Sequence, residues 1–116
     1  MTPQEIDEVV RSWRSACRHR STLWAAIRAH LPEGSMCADE RADWIIGTVD
    51  CLHVMLASPN RLAVAAIEMA ERRKAVTSAD LQSDRDALMA GLETVLGPLS
   101  EDCTMAWHRA CGLFAD

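Results

Sequence analysis

The chain has 116 residues, 49% of them hydrophobic, and 12 basic against 17 acidic side chains give a net charge of −5. That length supports one domain, 1–116, around one core, and the acidic balance opposes the phosphate attraction behind most nucleic-acid affinity, so no nucleic-acid partner is expected. No apolar run approaches the roughly 20 residues of a membrane span and the acidic start is unlike a signal peptide, which together point to a cytoplasmic protein with no membrane partner.

Every clear apolar pattern recurs at helical spacing, which predicts an all-α fold of about six helices. Thr2 and Glu5 form a capping box with Pro3 at the first helical position, and Ile6, Val9, Val10, Trp13 and Cys17 make one stripe over 3–17. Ser21 or Thr22 is the expected cap of a second helix carrying Leu23, Trp24, Ile27, His30 and Leu31, stopped at Pro32-Glu33-Gly34. A third helix is expected over 39–56 with Ile45, Val49, Leu52 and Leu56 inward and Trp44, Ile46 and Met55 widening the face.

Ser58-Pro59 announces a fourth helix over 59–74, whose closing run Arg72-Arg73-Lys74 suits the negative end of the helix dipole. A fifth opens at Thr77 or Ser78, lines up Leu81, Leu88, Leu92, Val95 and Leu96, and stops at Gly97-Pro98. Ser100 caps a sixth with Cys103, Ala106, Trp107, Ala110 and Phe114. Its apolar or thiol band also takes in Met105, Cys111 and Leu113, broader than one core-facing stripe needs. The surplus suggests a homodimer built on helices 5 and 6, with Trp107, Leu113 and Phe114 at the contact.

No Gly-rich phosphate loop, Ser-His-Asp pattern or paired carboxylates set on loops occurs, so no enzyme activity is expected. The five cysteines, at 17, 37, 51, 103 and 111, do not form the framework of a small secreted domain, and reduced thiols are the default. Cys17 with His19 and Cys51 with His53 are each two apart on a helix and point about 200° from one another. His108 and Cys111 can meet but supply only two of the four ligands zinc needs, so no metal site is expected.

The stretch Leu88-Met89-Ala90-Gly91-Leu92-Glu93-Thr94-Val95-Leu96-Gly97, followed by Ser100-Glu101 and Ala106-Trp107-His108-Arg109-Ala110-Cys111, resembles the last two helices of bacterial globins and flavohaemoglobins. Their text there is LL-x-x-L-x-x-x-LG and then AW-x-x-AY, with Cys111 here replacing the tyrosine. The opening Thr2 to Trp13 is similar to the family's LT-x-x-x-I-x-x-V-x-x-SW. The resemblance implies a shortened globin-like bundle.

The departures bear on function. Aligning Ala75-Val76 with the family's glycine-valine pair puts Glu71 where the resemblance implies the proximal haem histidine, a small shift offers Arg72, Arg73 or Lys74, and no histidine lies between 54 and 107. A carboxylate cannot reproduce the directed lone pair of a neutral imidazole. Roughly a dozen residues of the family's haem-enclosing region, including its porphyrin-wedging phenylalanine, are also missing between the second and third helices.

The reading is therefore a sensory or protein-interaction domain that has lost standard haem binding, its pocket filled by Trp44, Val49, Ile67, Met69 and Leu88. The alternative is a haem protein of unusual ligation through His53, His30, Cys51 or Met69, binding oxygen or another diatomic gas. A second alternative is a thiol switch using Cys103 and Cys111.

Overall fold

A computed structural model describes residues 1–32, 37–58, 62–74 and 78–115, with side chains for all of these except 62, 65, 66, 73, 78–80 and 113–115. It contains six helices: α1 (Pro3–Cys17), α2 (Arg20–Ala29), α3 (Ala38–Ala57), α4 (Leu62–Arg73), α5 (Ser78–Leu96) and α6 (Glu101–Ala115). No strand occurs among the described residues. The all-α, six-helix expectation holds.

Local chemistry sets most of the boundaries. Thr2 Oγ1 accepts from the Glu5 amide and the Thr2 amide donates to Glu5 Oε1, both at 3.1 Å, so two of the amides that α1 leaves unpaired are satisfied reciprocally. At the start of α6, Ser100 Oγ accepts from the Cys103 amide at 3.1 Å, as the sequence predicts. Gly97 ends α5 with φ +80°, a left-handed conformation that favours glycine.

The start of α2 differs from expectation. It begins at Arg20 behind His19, whose side chain makes no capping bond, so Ser21 and Thr22 lie inside the first turn rather than before it. The Leu23 amide already bonds the His19 carbonyl at 2.9 Å, and Arg20 is drawn onto Asp50 of α3, so a tertiary ion pair accompanies the earlier start. Helix α3 runs one residue further at each end than predicted. The expected Ser58-Pro59 start of α4 and the Thr77 cap of α5 fall outside the described residues, although Ser58 itself closes α3 through its amide to the Val54 carbonyl.

Helices pack in three main pairs, α1 with α6, α2 with α5 and α3 with α4, and both α1 and α2 also lie against α3. Between α1 and α6, Trp13 and Trp107 meet edge to face with ring centroids 6.1 Å apart. Their indole N–H groups are satisfied: Trp13 Nε1 donates to Asp50 Oδ1 at 3.0 Å and Trp107 Nε1 to Ser12 Oγ at 2.9 Å. The α2–α5 contact depends on Gly91, where an added Cβ would stand 2.6 Å from Ile27 Cγ1. A buried ion pair, Arg41 with Asp84, joins α3 to α5.

Candidate functional site

Helix α4 turns its outward face in an unexpected register. Glu71 projects into solvent and pairs with Lys74 at 3.1 Å, while its neighbour Arg72 lies across α3. A Cβ built on Gly47 would sit 3.0 Å from Arg72 Nη2, so the absence of a side chain at 47 lets the guanidinium rest on the α3 backbone. Beside it, Cys51 is buried and its thiol donates to Glu68 Oε2 at 3.0 Å; burial first, then that bond, pushes the thiol pKa up.

Among the described residues a cavity of about 10 Å³ between α3 and α5 is bordered by Trp44, Val49 and Leu88 among others. That is near the lower limit for a single water. Val49, Leu88 and Met69 are buried in the core and Trp44 is half-buried against it. Ile67 corrects the sequence reading: it is 65% exposed on the outer side of α4, because the side chains that α4 turns onto α3 are Glu68 and Arg72.

At the α3–α4 contact Glu71 is exposed and paired with Lys74, and the Arg72 guanidinium occupies the close approach at Gly47. His30 caps the end of α2 with Nδ1 2.8 Å from the Ala26 carbonyl, Cys51 bonds Glu68, and Met69 is packed in the core. His53 is half-buried with Nε2 unpartnered, and its pKa is lowered by burial and by Arg14 against an opposing pull from Asp50. Among the described residues no group of three or more His, Cys, Asp or Glu side chains is placed to hold a metal ion.

The α6 band divides differently from the sequence picture. Trp107 is fully buried against Trp13, which corrects its expected place at an interface, and Cys103, Ala106 and Cys111 are buried as well. Met105 is 50% exposed, and the side chains of Leu113 and Phe114 lie outside the described residues. Burial raises the Cys103 thiol and pushes Cys111 up to about 12, away from the thiolate a reactive cysteine needs. Eight residues apart on one helix, their Cα atoms are about 12 Å apart along the axis, beyond disulfide reach.

A recess between α2 and α3 is one the sequence reading did not anticipate. Helices α2 and α3 run antiparallel and are joined by three polar rungs: Arg28 with Asp39, Trp24 Nε1 donating to Asp43 Oδ1 at 2.8 Å, and Arg20 with Asp50. The partners recur every fourth residue on α2. On α3 they sit at 39, 43 and 50, so Arg20 passes over Gly47, four residues beyond Asp43, and pairs with Asp50 instead. A groove of about 490 Å³ opens there, lined by Arg20, Ser21, Trp24, Asp43, Ile46 and Gly47. Its periodic spacing was visible in the sequence; the helix pairing that turns it into a groove was not.

No protein-family model, no curated protein and no solved structure matches this chain. Fold and site define an all-α six-helix bundle with a closed α3–α4 contact and an open α2–α3 groove.

Proposed function

We propose that this chain is a haem-free, globin-like domain that acts by binding, as a sensory or protein-interaction module, rather than by catalysis. One observation carries the reading: Arg72 lies against Gly47 while Glu71, at the position the resemblance assigns to the haem ligand, stands in solvent paired with Lys74. Direct packing of α3 on α4 replaces the space a prosthetic group would need, in keeping with the tendency of interiors to close rather than stay empty.

Binding surfaces are available for such a role. Val64 and Ile67, 61% and 65% exposed, put apolar area on the outer face of α4, and Met105 does so on α6. The homodimer suggested by the sequence, on helices 5 and 6, would draw on Met105 rather than on Trp107. The reading of the protein as haem-binding through His53, His30, Cys51 or Met69 has His30 already held at the Ala26 carbonyl and Cys51 at Glu68, and the Cys103–Cys111 switch gains nothing from two buried thiols.

The test is titration with haem followed by absorbance. The protein should stay without a saturable Soret-region spectrum. A sharp spectrum saturating at one haem per chain would overturn the proposal, and its loss in His53→Ala would then name the ligand.

A further inference from the structure

We propose that the α2–α3 groove is a binding site for a small molecule built on a single aromatic ring, with a carboxylate at one end and an amine at the other. The proposal stands apart from the haem-free reading and does not depend on it. At about 490 Å³ the groove falls within the range of small-ligand sites, roughly 300–1,000 Å³. It lies between the Trp24–Asp43 and Arg20–Asp50 rungs of the α2–α3 seam, where α3 carries Gly47.

The two bounding rungs set the length of the occupant. Arg20 and Trp24 are one helical turn apart, about 6 Å along α2, and Asp43 and Asp50 are about 10 Å apart along α3. One substituted ring spans that distance. Trp24 and the buried Ile46 supply apolar surface for its face, and bare backbone at Gly47 permits close approach of its edge.

The ends differ in chemistry. At one, Arg20 uses Nη1 for Cys17 Sγ at 3.3 Å and Nη2 for Asp50, leaving further guanidinium N–H groups, and the Ser21 hydroxyl has no partner among the described residues. This end donates and suits a carboxylate. At the other, Asp43 Oδ1 is held by the Trp24 indole while Oδ2 has no partner among the described residues, so this end accepts and suits an amine.

The experiment uses three probes, 4-aminobenzoate, benzoate and aniline, at neutral pH, and follows the four indole N–H signals of the isotope-labelled protein by NMR. Trp24 is assigned by the signal missing from Trp24→Phe. We expect a saturable shift of Trp24 with 4-aminobenzoate, and at least about threefold weaker binding of the two probes that lack one end. Arg20→Gln should weaken 4-aminobenzoate and benzoate about tenfold while leaving aniline unchanged. Asp43→Asn, which keeps an acceptor for Trp24, should weaken 4-aminobenzoate and aniline but not benzoate. Both positions are exposed, so unchanged helicity is expected in each variant. No saturable Trp24 shift with any probe up to about 10 mM, or affinities unchanged in both variants, would overturn the assignment.

Discussion

Replacing Gly91 by alanine sets two opposed effects against each other, and the structure decides the sign. Gly91 lies within α5, where alanine is favoured over glycine by about 1 kcal/mol through helix propensity alone. Against this, the new Cβ would stand 2.6 Å from Ile27 Cγ1 and 3.5 Å from the Ile27 amide nitrogen, in a contact where Ile27 is fully buried. Reaching ordinary van der Waals distance requires about 1 Å of movement between α2 and α5 or a new Ile27 rotamer, and overpacking of this kind costs about 1–3 kcal/mol. The net expectation is destabilisation by up to about 2 kcal/mol, a fall in Tm of several degrees for a chain of this size.

The same geometry predicts a reversal. Ile27→Ala removes Cγ1 and by itself costs about 2–5 kcal/mol. In that background Gly91→Ala should stabilise, because only the propensity gain remains and the methyl enters vacated space. Urea unfolding followed by circular dichroism on the four proteins of the cycle measures the coupling directly. If Gly91→Ala stabilises the native sequence, or if its effect is the same with alanine at 27, the close α2–α5 approach is wrong.

Two further expectations concern pH. Burial raises the Cys111 thiol from 9.0 to about 12; a group whose pKa rises on folding contributes stability present below the unfolded value and lost as pH climbs from about 9 toward 12, with a ceiling of about 4 kcal/mol for three units. The drop in urea midpoint between pH 8 and pH 10.5 should therefore shrink in Cys111→Ala, and an undiminished drop would exclude Cys111 as its source. His53 shifts the other way, chiefly through burial and then Arg14, so the unfolded chain takes the proton first; stability is complete above about pH 6.5 and falls as pH drops below it. His53→Leu should flatten that acid limb, and a limb unchanged in the variant would place the proton elsewhere.

The parts of the fold that were legible are those decided within one turn of chain. The Thr2–Glu5 box, Ser100 at the start of α6 and Gly97 at the end of α5 each satisfy or terminate a helix using residues three or four apart, and each stands as read. What failed was decided by partners distant in sequence. Ser21 and Thr22 are sound caps by local chemistry, yet the first turn of α2 already includes them and carries the Arg20–Asp50 pair, thirty residues long in sequence. Ile67 fits the apolar period of α4 as well as Met69 does, but a helix period gives a stripe without saying which neighbour receives it, and Arg72 took the contact with α3.

The candidate site shows the same limit in a sharper form, since all of its residues lie on regular spacings. Arg20, Trp24 and Arg28 recur every four residues, as do Asp39, Asp43 and Gly47, and read singly each series is an ordinary solvated helix face. Only the antiparallel register of α2 on α3 pairs 28 with 39, 24 with 43 and 20 with 50, and so places Gly47 between two rungs at the groove. The informative feature is a missing side chain, and it acquires meaning only from what faces it on both sides: a ladder of charged and indole partners on α2, and the Arg72 guanidinium on α4. An alanine at 47 would press on the flexible tip of Arg72 rather than on backbone, so packing alone does not demand glycine there.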